Sequence, residues 1–114
     1  MSRLTHQAHK DNGVIRLVLV GELDLSSASQ VEEVLKDLEA EGPSMIVLDL
    51  RELTFMDSTG LRVMVSADAR ARDQARRLAI VQGPEPVHRV FRITGLDDHL
   101  DIVETPEAAL TSSE

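Results

Sequence analysis

Met45-Ile46-Val47-Leu48 is a continuous apolar run between Pro43 and Asp49, and its reading decides the fold. Four apolar residues in a row, with no alternation, describe a central strand covered by helices on both faces. Upstream lies Val14-Ile15-Arg16-Leu17-Val18-Leu19-Val20, rich in β-branched residues and apolar on both faces apart from Arg16. The turn signal Asp11-Asn12-Gly13 pairs it with an edge strand at about residues 4–10. Between these strands a helix is expected, with Ala28, Val31, Val34, Leu35 and Leu38 at helical spacing. Ser27 with Gln30 fits a capping box, Glu32 and Lys36 form an i,i+4 pair, and Gly42-Pro43 stops the helix.

Downstream, residues 49–55 read as a connection and residues 58–75 as a second helix. Leu78-Ala79-Ile80-Val81 is a third internal strand closed by Gly83. Pro84 and Pro86 fit only a first helical turn, so a helix over 86–94 starts there and stops at Gly95. A short strand at 100–103 follows, and Thr105 caps a last helix opened by Pro106. The tail from Thr111 is expected to fray. The opening hairpin is antiparallel, and the later strand-helix-strand units require parallel neighbours. The expected class is α/β, a mixed central sheet of about five strands packed with about four helices.

Composition bounds what such a domain can do. The chain has 114 residues, 42% hydrophobic but only 2% aromatic (Phe55 and Phe91), which suits one aliphatic core. A net charge of −8 disfavours nucleic acid and anionic membrane surfaces as partners. No cysteine is present, which excludes disulfides, thiolate metal sites and thiol catalysis. His6 and His9 differ by an odd number of residues, so on a strand they face opposite ways, and no metal site is expected there. No apolar run approaches the roughly 18–20 residues that span a bilayer, and the N-terminus lacks a signal-peptide core, so the cytoplasm is the expected location. No glycine-rich phosphate loop occurs, and no cofactor is expected. Arg70, Arg72, Arg76 and Arg77 alternate with Asp68 and Asp73 and read as a solvated face.

The chemistry concentrates in Asp57-Ser58-Thr59-Gly60-Leu61, where a strand-to-helix connection becomes a helix. Asp and Ser there have a purely structural explanation as N-caps. Three features point further. Gly60 in the opening turn costs about 1 kcal/mol relative to Ala, which makes sense if another backbone approaches closely or if the helix crosses tightly over the sheet. Leu61, Val65 and Ala69 lie near the side of Ser58 and Arg62, giving either a docking surface or a deeply buried helix. A helix N-terminus also tolerates phosphate, and a phosphoserine at 58 adds about −1.5 to −2 charges beside Glu22, Asp24 and Asp57.

Two rival readings fail on particular residues. A phosphate-accepting receiver domain needs an acidic pair after its first strand and a lysine after its last, but the only lysines are Lys10 and Lys36. A serine hydrolase wants Gly-x-Ser-x-Gly, and Met56 stands at the first glycine. No enzyme activity and no catalytic residue are therefore expected.

Gly21-Glu22-Leu23-Asp24, followed by Phe55-Met56-Asp57-Ser58-Thr59-Gly60-Leu61, resembles the anti-sigma factor antagonists, single-domain proteins of the STAS superfamily. Phe91-Arg92-Ile93-Thr94-Gly95-Leu96 is similar to their third helix and its glycine stop. The resemblance implies one STAS domain over residues 1–114. It implies that Ser58 is phosphorylated by an anti-sigma factor carrying a GHKL-type serine kinase domain. The unphosphorylated antagonist binds that factor and frees a sigma factor, and a serine phosphatase resets the switch. Asp24 matches the acidic residue beside the phosphorylated serine. Glu22, Asp24, Asp57, Thr59, Gly60, Leu61, Arg62 and Val65 are then the expected partner-binding residues, on a chain expected to be monomeric when free. Arg62 departs from the glycine many antagonists carry there. The alternative within the superfamily is a scaffold subunit of a stressosome or of a lipid-transport assembly.

Overall fold

The computed structural model describes residues 3–111. Strand β1 (Leu4–Asp11) turns through Asn12-Gly13 into β2 (Val14–Leu23), and both turn residues take positive φ. Helix α1 (Ala28–Glu39) leads to β3 (Met45–Met56), and α2 (Ser58–Asp73) to β4 (Arg77–Val81). Helix α3 (Glu85–Ile93), β5 (Ile102–Val103) and α4 (Pro106–Thr111) complete the order. The sheet runs β1-β2-β3-β4-β5, with β1 antiparallel to β2 and every other pair parallel. The expected mixed sheet and its helices are found, with β3 at the centre.

Alternation along the strands divides the core in two. Leu17, Leu19, Ile46, Leu48 and Ile80 face Val31, Leu35, Met64 and Phe91 of the helices in the main core. Met45, Val47, Ala79 and Val81 meet Ala109 of α4 on the other face. That second face is covered by one short helix. Arg16 lies there, bonded 3.2 Å from the buried Asp49 carboxylate, which Arg51 also holds at 2.8 Å.

Several local expectations are corrected. Residues 49–55 are not a connection but the second half of β3. β2 advances from Val18 to Leu23 while β3 advances from Asp49 to Met56, because the register shifts twice. These bulges bury Leu50, Leu53 and Met56 at a spacing of three, which hides the strand from any search for alternation. Ser27 is the N-cap of α1 but makes no capping bond to it. Its hydroxyl donates to the Glu22 carbonyl at 2.9 Å and accepts from the Asp24 amide at 3.0 Å, while Gln30 reaches the Leu4 carbonyl. No capping box forms, because that hydroxyl ties the preceding loop.

Glu32 does not pair with Lys36; it bonds Arg70 of α2 at 2.8 Å. Arg70 also forks onto Glu39, and Arg76 donates to the Glu39 and Pro43 carbonyls at the end of α1. Only Arg72 keeps an i,i+4 partner, Asp68. The arginine group is therefore not a solvated face but mostly a clamp between elements. Helix α2 stops at Asp73 rather than Ala75, which is exposed with φ 53°. The last strand pairs only through Ile102 and Val103. Thr105 caps α4 as expected, accepting the Ala108 amide at 3.0 Å. Of the tail expected to fray from Thr111, that residue is the last of α4, and the rest lies outside the described residues.

Candidate functional site

The site grows from the way β3 hands over to α2. Asp57 is extended and its amide donates to the Leu23 carbonyl of β2 at 3.3 Å, which fixes the point where the helix begins. Its Oδ1 then accepts the Thr59 amide at 2.9 Å and the Gly60 amide at 3.3 Å. Two of the first-turn N–H groups are thereby satisfied by one carboxylate. The place at the helix N-terminus that favours an anion is already taken by Asp57.

Ser58 is the first helical residue and is exposed. Its hydroxyl makes no hydrogen bond to the described residues. Gly60 is buried, and a Cβ on it would stand 2.6 Å from Met56 Cγ and 2.8 Å from Leu23 Cγ. The close neighbours are two of the chain's own side chains at the strand ends, so Gly60 serves a tight crossing over the sheet and not an approaching second backbone. Leu61 is also buried in the core. Of the expected apolar arc, Val65 (40% exposed) and Ala69 face outward with Ser58 and Arg62. Thr59 is half-buried, and with Arg62, Glu32, Ser29 and Ser66 it borders a groove of about 200 Å³ between α1 and α2.

The loop after β2 supplies the other wall. Asp24 Oδ1 accepts the Ser26 amide at 3.0 Å and the Ser26 hydroxyl at 2.7 Å. The Ser26 hydroxyl is the chief cause that holds the Asp24 carboxyl below its ordinary value, against a smaller upward push from desolvation. Glu22 is half-buried, and Arg3 stands 3.5 Å from it.

Asp24 and Asp57 border one open depression of about 500 Å³ together with Leu25, Ser26 and Phe55. Leu25 is 80% exposed and Phe55 46% exposed. These two apolar side chains are absent from the residues expected of the site. A signal exists for Leu25, an apolar residue between Asp24 and Ser26, but not for Phe55, which lies between Leu53 and Met56 in an apolar stretch.

Residues 5–109 match the family model described as STAS domain. The chain belongs to the STAS family. It is 33% identical over 93 residues to the anti-sigma-B factor antagonist of Listeria monocytogenes, with 82% of each chain covered. It is 30% identical over 100 residues to the anti-sigma-F factor antagonist RsfB of Mycobacterium tuberculosis, covering 88% of this chain and 81% of RsfB. The crystal structure of an anti-sigma factor antagonist from Mycobacterium paratuberculosis shares the fold, with a TM-score of 0.84 at 24% identity over 95% of this chain and 92% of that one.

In this STAS chain the acidic residues, Ser58 and the exposed apolar pair all lie at the carboxyl ends of β2 and β3. A more enclosed pocket of about 380 Å³ opens on the opposite sheet face, between the hairpin turn and α4, and is bordered by His9, Arg16, Val47 and Leu110. None of the residues expected of the site borders it. Among the described residues no group of His, Cys, Asp and Glu could hold a metal ion, and no helix is long and apolar enough to cross a membrane.

Proposed function

We propose that this STAS chain is an anti-sigma factor antagonist whose binding is gated by phosphorylation of Ser58. The observation that carries the reading is the exposed, unbonded Ser58 hydroxyl at the first position of α2, beside an acidic and apolar surface. Neighbouring hydroxyls are less suited. Ser27 is buried and bonded, the Ser26 hydroxyl donates to Asp24, and Thr59 is half-buried in the groove.

The partner is an anti-sigma factor with a GHKL-type serine kinase domain. Unphosphorylated, the chain docks through Leu25 and Phe55 with Asp24, Asp57, Arg62 and Val65 around them, and a sigma factor is released. In the kinase complex the Ser58 oxygen forms a bond to the γ-phosphorus of ATP, the bond to the β-phosphate oxygen breaks, ADP leaves, and the hydroxyl proton passes to a base of the kinase. The phosphate adds about −1.5 to −2 charges next to Asp24, Asp57 and Glu22. An acidic partner group facing that patch is then repelled by several kcal/mol, enough to abolish a moderate complex. A serine phosphatase reverses the step. The chain itself acts as a binding module in the cytoplasm and not as an enzyme.

Incubation with the partner kinase and ATP is expected to add one phosphate by intact mass, and Ser58→Ala to remove that gain while retaining binding. Phosphate on Thr59, Ser26 or Ser27 would overturn the assignment. Sedimentation is expected to give a monomer; a large assembly would favour a stressosome-type scaffold.

A further inference from the structure

We propose that Arg62 is the counter-ion of a phosphate carried by Ser58, so that phosphorylation both adds charge and withdraws a cation from the docking face. The inference rests on Ser58 as the modified residue and concerns what the phosphate then does.

Arg62 is exposed and makes no ion pair with the described residues. Its helix neighbours differ: Arg70 is forked between Glu32 and Glu39, and Arg72 is bonded to Asp68. Glu32 borders the same groove, yet its bonded oxygen is held by Arg70 and not by Arg62.

Ser58 and Arg62 stand four residues apart on the outward face of α2, the spacing at which helical side chains meet. Side chains on a helix lean toward its N-terminus, so Arg62 covers the turn that begins at Ser58. The anion precedes the cation in the chain, which is the more favourable order for such a pair.

The alternatives for a phosphate at this place are poor. The Thr59 and Gly60 amides already bond Asp57, so the phosphate cannot collect them without displacing that carboxylate. The acidic groups around it are Asp57 of its own helix cap, Asp24 of the loop after β2, and Glu22 near the end of β2, which Arg3 approaches at 3.5 Å. Across the groove, α1 presents Glu32, whose Oε2 is bonded to Arg70 and whose Oε1 is buried without a partner. Among these groups the Arg62 guanidinium is the cation within one helical turn of Ser58, and the phosphate is drawn to it. Without phosphate, the same guanidinium borders the α1–α2 groove beside Ser29 and Ser66, free for an acidic side chain of the partner.

The test uses the full chain with phosphoserine installed at position 58 during translation, followed by phosphorus NMR titration through the second phosphate ionisation at about pH 6. That ionisation is expected to lie about 0.3 unit lower in the otherwise unchanged chain than in Arg62→Gln, with Arg62→Lys in between. Coincident titrations of the first two would overturn the proposal. Because the phosphate is installed without a kinase, this result is independent of whether a kinase selects Ser58. Failure of phosphate transfer to Ser58 would sink the proposed function and leave the titration standing.

Discussion

Asp57 holds the Thr59 amide at 2.9 Å, so the residue before Ser58 is the cap of the helix that presents it. The same carboxylate supplies stability and negative charge, and the two can be separated. Asp57→Ser keeps a capping oxygen and removes the charge, whereas Asp57→Ala removes both. Chemical denaturation is expected to show a loss of about 1 kcal/mol for the alanine variant and much less for serine. Equal losses would show that the cap is not what the carboxylate contributes.

Asp24 is bent onto Ser26 and so shapes its own loop. Asp24→Asn retains an acceptor for those bonds but loses the charge. If the charge serves the partner, both Asp24→Asn and Asp24→Ala slow phosphorylation of Ser58 or weaken binding, while the asparagine variant melts with the parent. Wild-type kinetics in Asp24→Asn would restrict Asp24 to a role in the turn.

Leu25 and Phe55 are exposed apolar side chains that no core position requires. Each replacement by Ala is expected to lower affinity for the anti-sigma factor by about 1–2 kcal/mol, measured by calorimetry, with little change in thermal stability. Unchanged affinity in the double variant would move the docking surface elsewhere.

Asp49 carries a pH-dependent part of the stability. Desolvation pushes its carboxyl upward, but the side-chain and backbone hydrogen bonds and the charge of Arg51, with Arg16, outweigh that and hold it below the usual range. In the unfolded chain the value is about 3.9. A group held low in the folded state contributes fully above that value and is lost as pH falls through its lowered one. The parent is therefore expected to lose stability below about pH 4 faster than Asp49→Ala. At neutral pH that variant is expected to be about 1.5–2 kcal/mol less stable, since the charged hydrogen bonds are lost while the two part-exposed guanidiniums can turn to water.

Two glycines of the family motifs are steric requirements. Gly21 has φ 111°, and a Cβ there would run into the Arg3 carbonyl oxygen. Gly60→Ala gains helix propensity of about 1 kcal/mol but must push Leu23 and Met56 aside at a cost of about 1–3 kcal/mol. Both alanine variants are expected to unfold at lower denaturant concentration, Gly21→Ala the more so. A neutral Gly60→Ala would mean that those side chains shift freely.

The elements with one clear period were legible in the sequence, from the hairpin turn at Asn12-Gly13 to the cap at Thr105. What escaped were features set by distant partners. The two bulges in β3 turn its alternation into a spacing of three, and only pairing with β2 reveals them. Ser27 and Glu32 carry local signatures of a capping box and a helix pair, yet each is claimed by a group elsewhere, the Glu22 carbonyl and Arg70. At the site, Asp57 and Ser58 were legible because the start of a helix leaves a short-range mark. The burial of Gly60 and Leu61 and the exposure of Phe55 depend on where β3 delivers α2, which no local pattern records.

Arg70 joins the middle and the end of α1 to α2 through Glu32 and Glu39, and Arg76 fastens the end of α1 as well. At the other end of these helices the Ser27 hydroxyl ties the loop of Asp24 and Leu25 to the Glu22 carbonyl, and the Asp57 amide ties the turn of Ser58 to the Leu23 carbonyl, so the two keep a fixed spacing. A partner meeting such a surface has little chain left to order, which lowers the entropic cost of binding. It also confines regulation to the surface field. On the proposed function, a modified and an unmodified chain are then expected to share one backbone, with no refolding between them.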